Sequence, residues 1–202
     1  MQGLFDMKFF ILLDTSGSME GAKIGALNDA MSNILVTLQG SAFDGSPVDL
    51  AVMTFGKTAL WMYDSPKSVT DFGWKELKAN GMTPLGSACL ELDAALKSHI
   101  APGDKVGIIL LSDGCPTDDY ESGISVLKQN ATFTKSYRCA LALGDNADMP
   151  SLRQFVADDN HVFNLNTADS LFDGLTKAIA EGVDQTRSAN KTVTKDNDGD
   201  WD

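Results

Sequence analysis

The chain has 202 residues, enough for one domain with a full core, and its 43% hydrophobic and 22% charged content is that of an ordinary globular protein. Acidic side chains number 28 against 16 basic ones, a formal net charge of −12, which argues against a nucleic-acid backbone or an anionic membrane as partner, since both require a basic face. No segment approaches the roughly 20 apolar residues of a membrane helix, the first residues lack a basic leader and a small-residue cleavage site, and the three widely spaced cysteines, Cys89, Cys115 and Cys139, read as reduced thiols, so the expected location is the cytoplasm.

In chain order, Met7 to Leu13 (MKFFILL) is an apolar run that predicts a buried strand. Ile24, Leu27, Met31, Ile34, Leu35 and Leu38 recur at three and four residues and predict an amphipathic helix ending at Gly40. Val48 to Phe55 and Ala59 to Tyr63 predict a hairpin around Gly56 and Lys57. Residues 64–82 show no period and predict loop, with a short helix near Trp74 to Lys78. Leu85, Ala88, Cys89, Leu92, Ala95, Leu96 and Ile100 form the next apolar helix face. Val106 to Leu111 (VGIILL) predicts a strand buried on both faces. Asp118 to Gln129 predicts a helix, Tyr137 to Leu143 a strand, Ser151 to Ala157 a short helix, His161 to Leu165 a short strand and Ser170 to Val183 a last helix.

This alternation predicts an α/β fold: a doubly wound, mostly parallel central sheet with helices on both faces. Residues 1–183 form one such domain. From Asp184 the chain turns polar and acidic, ending in DNDGDWD. That ending opens like a calcium loop but stops short of the ~12 residues such a loop needs, so a disordered tail is expected, with Trp201 a lone candidate anchor.

In doubly wound sheets, ligands bind beyond the carboxyl ends of the strands, so the loops that follow strands carry the functional candidates. Asp14-Thr15-Ser16-Gly17-Ser18 follows the first strand. Its three oxygen side chains alternate, so a tight turn can aim them to one side. A carboxylate and two hydroxyls are hard ligands, suited to Mg²⁺, Mn²⁺ or Ca²⁺ and unsuited to zinc. The same serines could instead cap the following helix. Gly81-Met82-Thr83-Pro84-Leu85-Gly86 reads locally as a helix start, with Thr83 at the N-cap and Pro84 at the first helical position. It is not a phosphate loop, because Ser87-Ala88 stands where Lys-Ser/Thr would bind phosphate. Ser112-Asp113-Gly114 ends VGIILL and could be a simple turn. Asp118 and Asp119 suit the first turn of a helix, where carboxylates favour the dipole.

DTSGSM, GMTPLG and LLSDG, in this order and at these distances, resemble the metal-ion-dependent adhesion site (MIDAS) of von Willebrand factor A (VWA) domains. The resemblance spans about residues 7–183. It implies that Asp14, Ser16, Ser18, Thr83 and Asp113 surround a divalent metal ion, Mg²⁺ by preference. It also implies that an exchangeable position on the ion accepts a Glu or Asp carboxylate from a partner protein. The wording of the motifs, including PTDD after Asp113, most resembles bacterial cytosolic VWA proteins of the tellurite-resistance type, and so implies a stress or tellurite-resistance complex. The expected function is therefore a protein–protein interaction module and not an enzyme. A metal-dependent hydrolase or phosphoryl-transfer enzyme is the alternative. Its parts are missing from the motif loops: His99 and His161 lie elsewhere, and Ser16 occupies the first glycine position of a nucleophile elbow around Ser18.

Overall fold

The computed structural model describes residues 7–40, 47–145, 147–165 and 168–193. Five parallel strands form the body of the sheet: β1 (Met7–Asp14), β2 (Val48–Phe55), β5 (Lys105–Ser112), β6 (Tyr137–Leu143) and β7 (Val162–Leu165). Two short strands, β3 (Ala59–Trp61) and β4 (Lys67–Ser68), pair antiparallel with β2. The order is β3-β2-β1-β5-β6-β7, with β4 on β2 off that path. The helices are α1 (Ala22–Gly40), α2 (Leu85–His99), α3 (Tyr120–Leu127), α4 (Ala131–Lys135), α5 (Met149–Phe155) and α6 (Ala168–Val193).

The two-residue period of β1 sorts its side chains onto two cores. Phe9, Ile11 and Leu13 face one layer with Leu27 and Met31 of α1 and Leu171 and Leu175 of α6. Phe10 and Leu12 face the other, with Leu85, Cys89 and Leu92 of α2 and Ile124 of α3. All of these side chains are buried. Burial on both faces is why the strands read as continuous apolar runs. The chain leaves β1 toward β2 on one side and reaches β5 on the other, so the strand order reverses between β1 and β5. A crevice at their carboxyl ends follows from that topology. Asp14 ends β1 and Ser112 ends β5, and Leu13 is in register with Leu111.

Several elements differ from the expectation. No helix forms at Trp74 to Lys78, where the chain is held by tertiary contacts: the Asn28 side chain accepts from the Leu77 N–H at 2.8 Å and donates to the Leu77 carbonyl at 3.0 Å. The helix expected from Asp118 to Gln129 is shorter, and Asn130 starts a second one, α4, by accepting from the N–H groups of Thr132 and Phe133. α6 runs to Val193, ten residues past the helix end expected at Val183. The remainder of the acidic tail, with Trp201, lies outside the described residues.

Candidate metal centre

Three loops meet at the β1/β5 crevice. The first, Thr15 to Gly21, leaves β1 through a 3-10 turn at Gly17–Met19. Asp14 is fully buried beneath it. One carboxylate oxygen accepts from the Ser16 N–H at 2.8 Å, and the other accepts from the Ser112 hydroxyl at 2.6 Å. Ser16 Oγ and Ser18 Oγ lie 2.9 Å apart, and Ser18 Oγ donates to Asp113 Oδ1 at 2.7 Å. The alternating oxygens of the first motif therefore do point one way, and they contact the third motif directly. Ser18 is exposed at the mouth, whereas Ser16 is buried. Neither serine caps a helix through its side chain: Ser16 precedes the 3-10 turn and makes no such bond.

The second loop, Asn80 to Pro84, is stitched to the first. Asn80 N–H donates to the Thr15 carbonyl at 2.7 Å, and Gly17 N–H donates to the Gly81 carbonyl at 3.0 Å. Gly81 has φ +90°, and a Cβ there would stand 2.7 Å from the Lys57 nitrogen, so both the turn and the close approach require glycine. The hydroxyl of Thr83 and that of Ser18 border Gly114: a Cβ built on Gly114 would lie 3.6 Å from Thr83 Oγ1 and 3.7 Å from Ser18 Oγ. Thr83 thus sits at the same mouth as Ser18 and Asp113, and it is buried.

Thr83 is not the N-cap expected from its sequence context. α2 begins at Leu85 without a side-chain cap from Pro84. The Leu85 N–H donates to the Thr83 carbonyl at 2.8 Å, and the next two are satisfied by Asp118, whose carboxylate accepts from Gly86 N–H at 2.8 Å and Ser87 N–H at 2.7 Å. Asp118 therefore caps α2 and not the helix that follows it, which is capped by Asp119. Thr117 joins the same two loops, accepting at Oγ1 from Thr83 N–H at 3.0 Å and donating its own N–H to the Thr83 carbonyl at 2.9 Å.

The five expected site residues are brought together. Two further side chains touch them: Ser112, which stands inside the third motif but was not expected to belong to the site, and Lys23, which lies outside all three motifs. Ser112 holds Asp14, and the Lys23 ammonium bonds Asp113 Oδ2. Ser112 is detectable in hindsight only through the register of β1 against β5. Burial raises the Asp14 carboxyl above its ordinary value, against hydrogen bonds from Ser112 and Ser16, and repulsion from Asp113 adds to the rise.

The candidate donors are the hydroxyls of Ser16, Ser18 and Thr83 and the carboxylates of Asp14 and Asp113. Among the described residues no group of three His, Cys, Asp or Glu side chains is placed to hold a metal. The residues at the mouth fit a hard, oxygen-preferring cation. Cys115, two residues past Asp113, is exposed. His99 ends α2, fourteen residues past its start beside the mouth, and lines a small cavity with Phe10, Ala51 and Trp61, and His161 stacks edge-on against Tyr137 at the start of β6. Neither belongs to the site.

Fold and site define a Rossmann-like α/β domain whose switch-point crevice is lined with oxygen side chains. A model of the von Willebrand factor type A domain matches residues 9–178, and the chain belongs to that family. VWA domains mediate protein–protein interactions and bind a divalent metal at their MIDAS. Solved structures share the fold at low identity. The pilus adhesin SpaC from Lactobacillus rhamnosus GG is 13% identical, with TM-score 0.71, over 93% of this chain and 31% of that one. The vWF domain of the type V pili tip protein Mfa5 from Porphyromonas gingivalis is 11% identical, with TM-score 0.66, over 99% and 100%. Proximal thread matrix protein 1 from the mussel byssus, described with zinc occupying its MIDAS motif, is 15% identical, with TM-score 0.59, over 87% and 47%. The chain thus spans about a third of SpaC and about half of the mussel protein. None of the curated proteins compared matches the chain in sequence. Among the described residues no helix is long and apolar enough to cross a membrane.

Proposed function

We propose that Asp14, Ser16, Ser18, Thr83 and Asp113 hold one divalent cation, Mg²⁺ by preference with Mn²⁺ or Ca²⁺ as substitutes, and that the loaded site captures a Glu or Asp side chain of a partner protein. The observation that carries this reading is the hydrogen-bonded chain Ser16–Ser18–Asp113, which joins the first and third motifs at one mouth with Thr83 beside it. The bound ion would supply positive charge and an exchangeable coordination position. The protein's own groups do the rest. Ser112 and the Ser16 N–H fix the Asp14 carboxylate. Ser18 orients Asp113, and the loop stitching around Gly81 sets where Thr83 stands.

With a net charge of −12, the chain repels an acidic partner except where a cation reverses the local field, so metal dependence is built into such capture. The position of both histidines away from the mouth, and neighbours named as adhesins and matrix proteins, support a binding module over a hydrolase. Three unpaired thiols, and motifs that resemble tellurite-resistance VWA proteins, lead us to place it in the bacterial cytoplasm, in a stress-response assembly. The test is a pull-down from lysate with the full chain, wild type against Asp14→Ala, in Mg²⁺ and in EDTA. A partner retained only by wild type in Mg²⁺ is the expected outcome. Equal retention in all four arms sinks the proposal.

A further inference from the structure

The geometry points to Lys23 as the residue that sets the charge of the metal site: its ammonium counters Asp113 before a divalent cation arrives, weakens that cation's hold, and leaves the loaded site with the surplus positive charge that draws a carboxylate. This rests on the metal reading above and says how that site is tuned.

Lys23 lies in the first turn of α1, where a cation faces the positive end of the helix dipole and is unfavourable on local grounds. Its partner explains the position. The side chain bonds Asp113 Oδ2, and the Asp113 side chain has 0% exposure while that of Lys23 has 38%. The other Asp113 oxygen accepts from Ser18. A buried carboxylate that would otherwise keep only one hydroxyl partner is thus paired with a cation, which offsets the penalty for burying its charge. The lysine arm also crosses the crevice from α1 to the end of β6: a Cβ built on Gly144 would stand 3.7 Å from Lys23 Cε and 3.8 Å from Nζ.

The charges at the mouth then follow. Asp14 and Asp113 carry two negative charges and Lys23 one positive, leaving one negative overall. A divalent cation turns this into one positive, and a single carboxylate ligand brings it to zero. Without Lys23 the loaded site is already neutral and has no surplus charge to attract an anion. Glu20 and Asp145, exposed nearby, are the same in every variant, so a Lys23 substitution isolates this one charge. A unit charge a few ångströms away changes an affinity by about fivefold even at the dielectric of bulk water, and more against a divalent ion.

The test uses the full chain and Mn²⁺ alone as the metal, with free Mn²⁺ counted by electron paramagnetic resonance. Acetate is the carboxylate probe, read by the fall in water-proton relaxation as it replaces water on bound Mn²⁺. Lys23→Met is expected to bind Mn²⁺ about tenfold tighter than wild type, and the loaded variant to bind acetate about fivefold more weakly. Lys23→Arg, which keeps the charge, is expected to stay within about twofold of wild type on both measures. Circular dichroism in EDTA checks that both variants are folded, and if Lys23→Met is not, Lys23→Gln takes its place. Unchanged or weaker Mn²⁺ binding by the neutral variant, or unchanged or stronger acetate binding, overturns the inference. Wild type that binds Mn²⁺ no better than Asp14→Ala overturns the metal reading itself and the inference with it.

Discussion

The carboxylate of Asp118 accepts hydrogen bonds from the backbone N–H groups of Gly86, 32 residues earlier in the chain, and of Ser87, and so caps a helix to which it does not belong. The helices meet closely there. A Cβ on Gly123 of α3 would lie 2.4 Å from the Gly86 carbonyl, so only glycine allows this crossing. The cap fixes the start of α2, and the start of α2 fixes Thr83. Asp118→Ala is expected to cost about 1–2 kcal/mol, as lost N-caps do, lowering the melting temperature by roughly 2–4 °C per kcal/mol. It is also expected to weaken Mg²⁺ binding although Asp118 is not proposed as a ligand. Thermal unfolding and a Mg²⁺ titration check both. Unchanged metal affinity at lowered stability would mean that Thr83 is positioned without the cap.

Asp14 gives a pH prediction. Burial raises its carboxyl above the unfolded value, so the folded chain holds that proton more readily than the unfolded one. The contribution to stability is therefore most favourable below the ordinary carboxylate range, around pH 4, and is lost as pH rises through the raised folded value. Metal-free protein is expected to lose stability on that account as pH rises above about 4. Mg²⁺ favours the ionised form and flattens the loss. Asp14→Asn removes the buried charge and keeps an acceptor for the Ser16 N–H. Its metal-free form is expected to melt about 2–4 °C higher at neutral pH, a gain of about 1 kcal/mol, with no Mg²⁺-dependent stabilisation. A lower melting temperature without metal would show that the hydrogen bonds outweigh the burial.

Thr83 separates holding the metal from using it. Its hydroxyl borders the same mouth as Ser18, while its backbone is bonded to Thr117 in both directions. Loss of the hydroxyl leaves the loop framework in place. Thr83→Ala is expected to keep most Mg²⁺ affinity, within about tenfold, yet to lose capture of a pulled-down partner, whereas Asp14→Ala loses both. Calorimetry with Mg²⁺ and the pull-down read the two properties separately. Capture at wild-type level by Thr83→Ala would remove Thr83 from the proposed site.

The thiols divide by environment. Cys89 and Cys139 are buried, and burial raises both, Cys139 to about 12 and Cys89 further, so neither forms thiolate at neutral pH. Cys115 is exposed on the loop after Asp113. One equivalent of iodoacetamide is expected to react with native protein, at Cys115 by peptide mapping, and the other two only after unfolding. Saturating Mg²⁺ is not expected to protect Cys115 fully, since its thiolate is not among the proposed donors. Uniformly slow reaction of all three would contradict its place on the open loop.

The sequence by itself determined every strand but the short β4, which falls in a stretch expected to be loop, along with most helices and the candidate oxygen donors of the first motif. The apolar runs at Met7–Leu13 and Val106–Leu111 are unambiguous because strands covered on both faces exclude polar residues, and helical spacing marks α1 and α2 because each buries one stripe. Asp14, Ser16 and Ser18 were legible as candidate donors because hard-oxygen chemistry and alternate spacing are local properties, whereas Thr83 and Asp113 became candidates only through the resemblance to VWA domains. Only the tertiary structure decided what those donors contact. Thr83 looks like a helix cap until Asp118 is seen to do that work from another loop. The segment around Trp74 looks weakly helical until Asn28 claims its backbone. Lys23 is an ordinary residue in sequence and Ser112 only the neighbour of Asp113 in its motif, and their contacts arise because parallel register sets Ser112 beside Asp14 and the crevice brings α1 within reach of Asp113. Local propensity is written in neighbouring residues, whereas hydrogen bonds across 90 residues or more depend on how the sheet orders its strands.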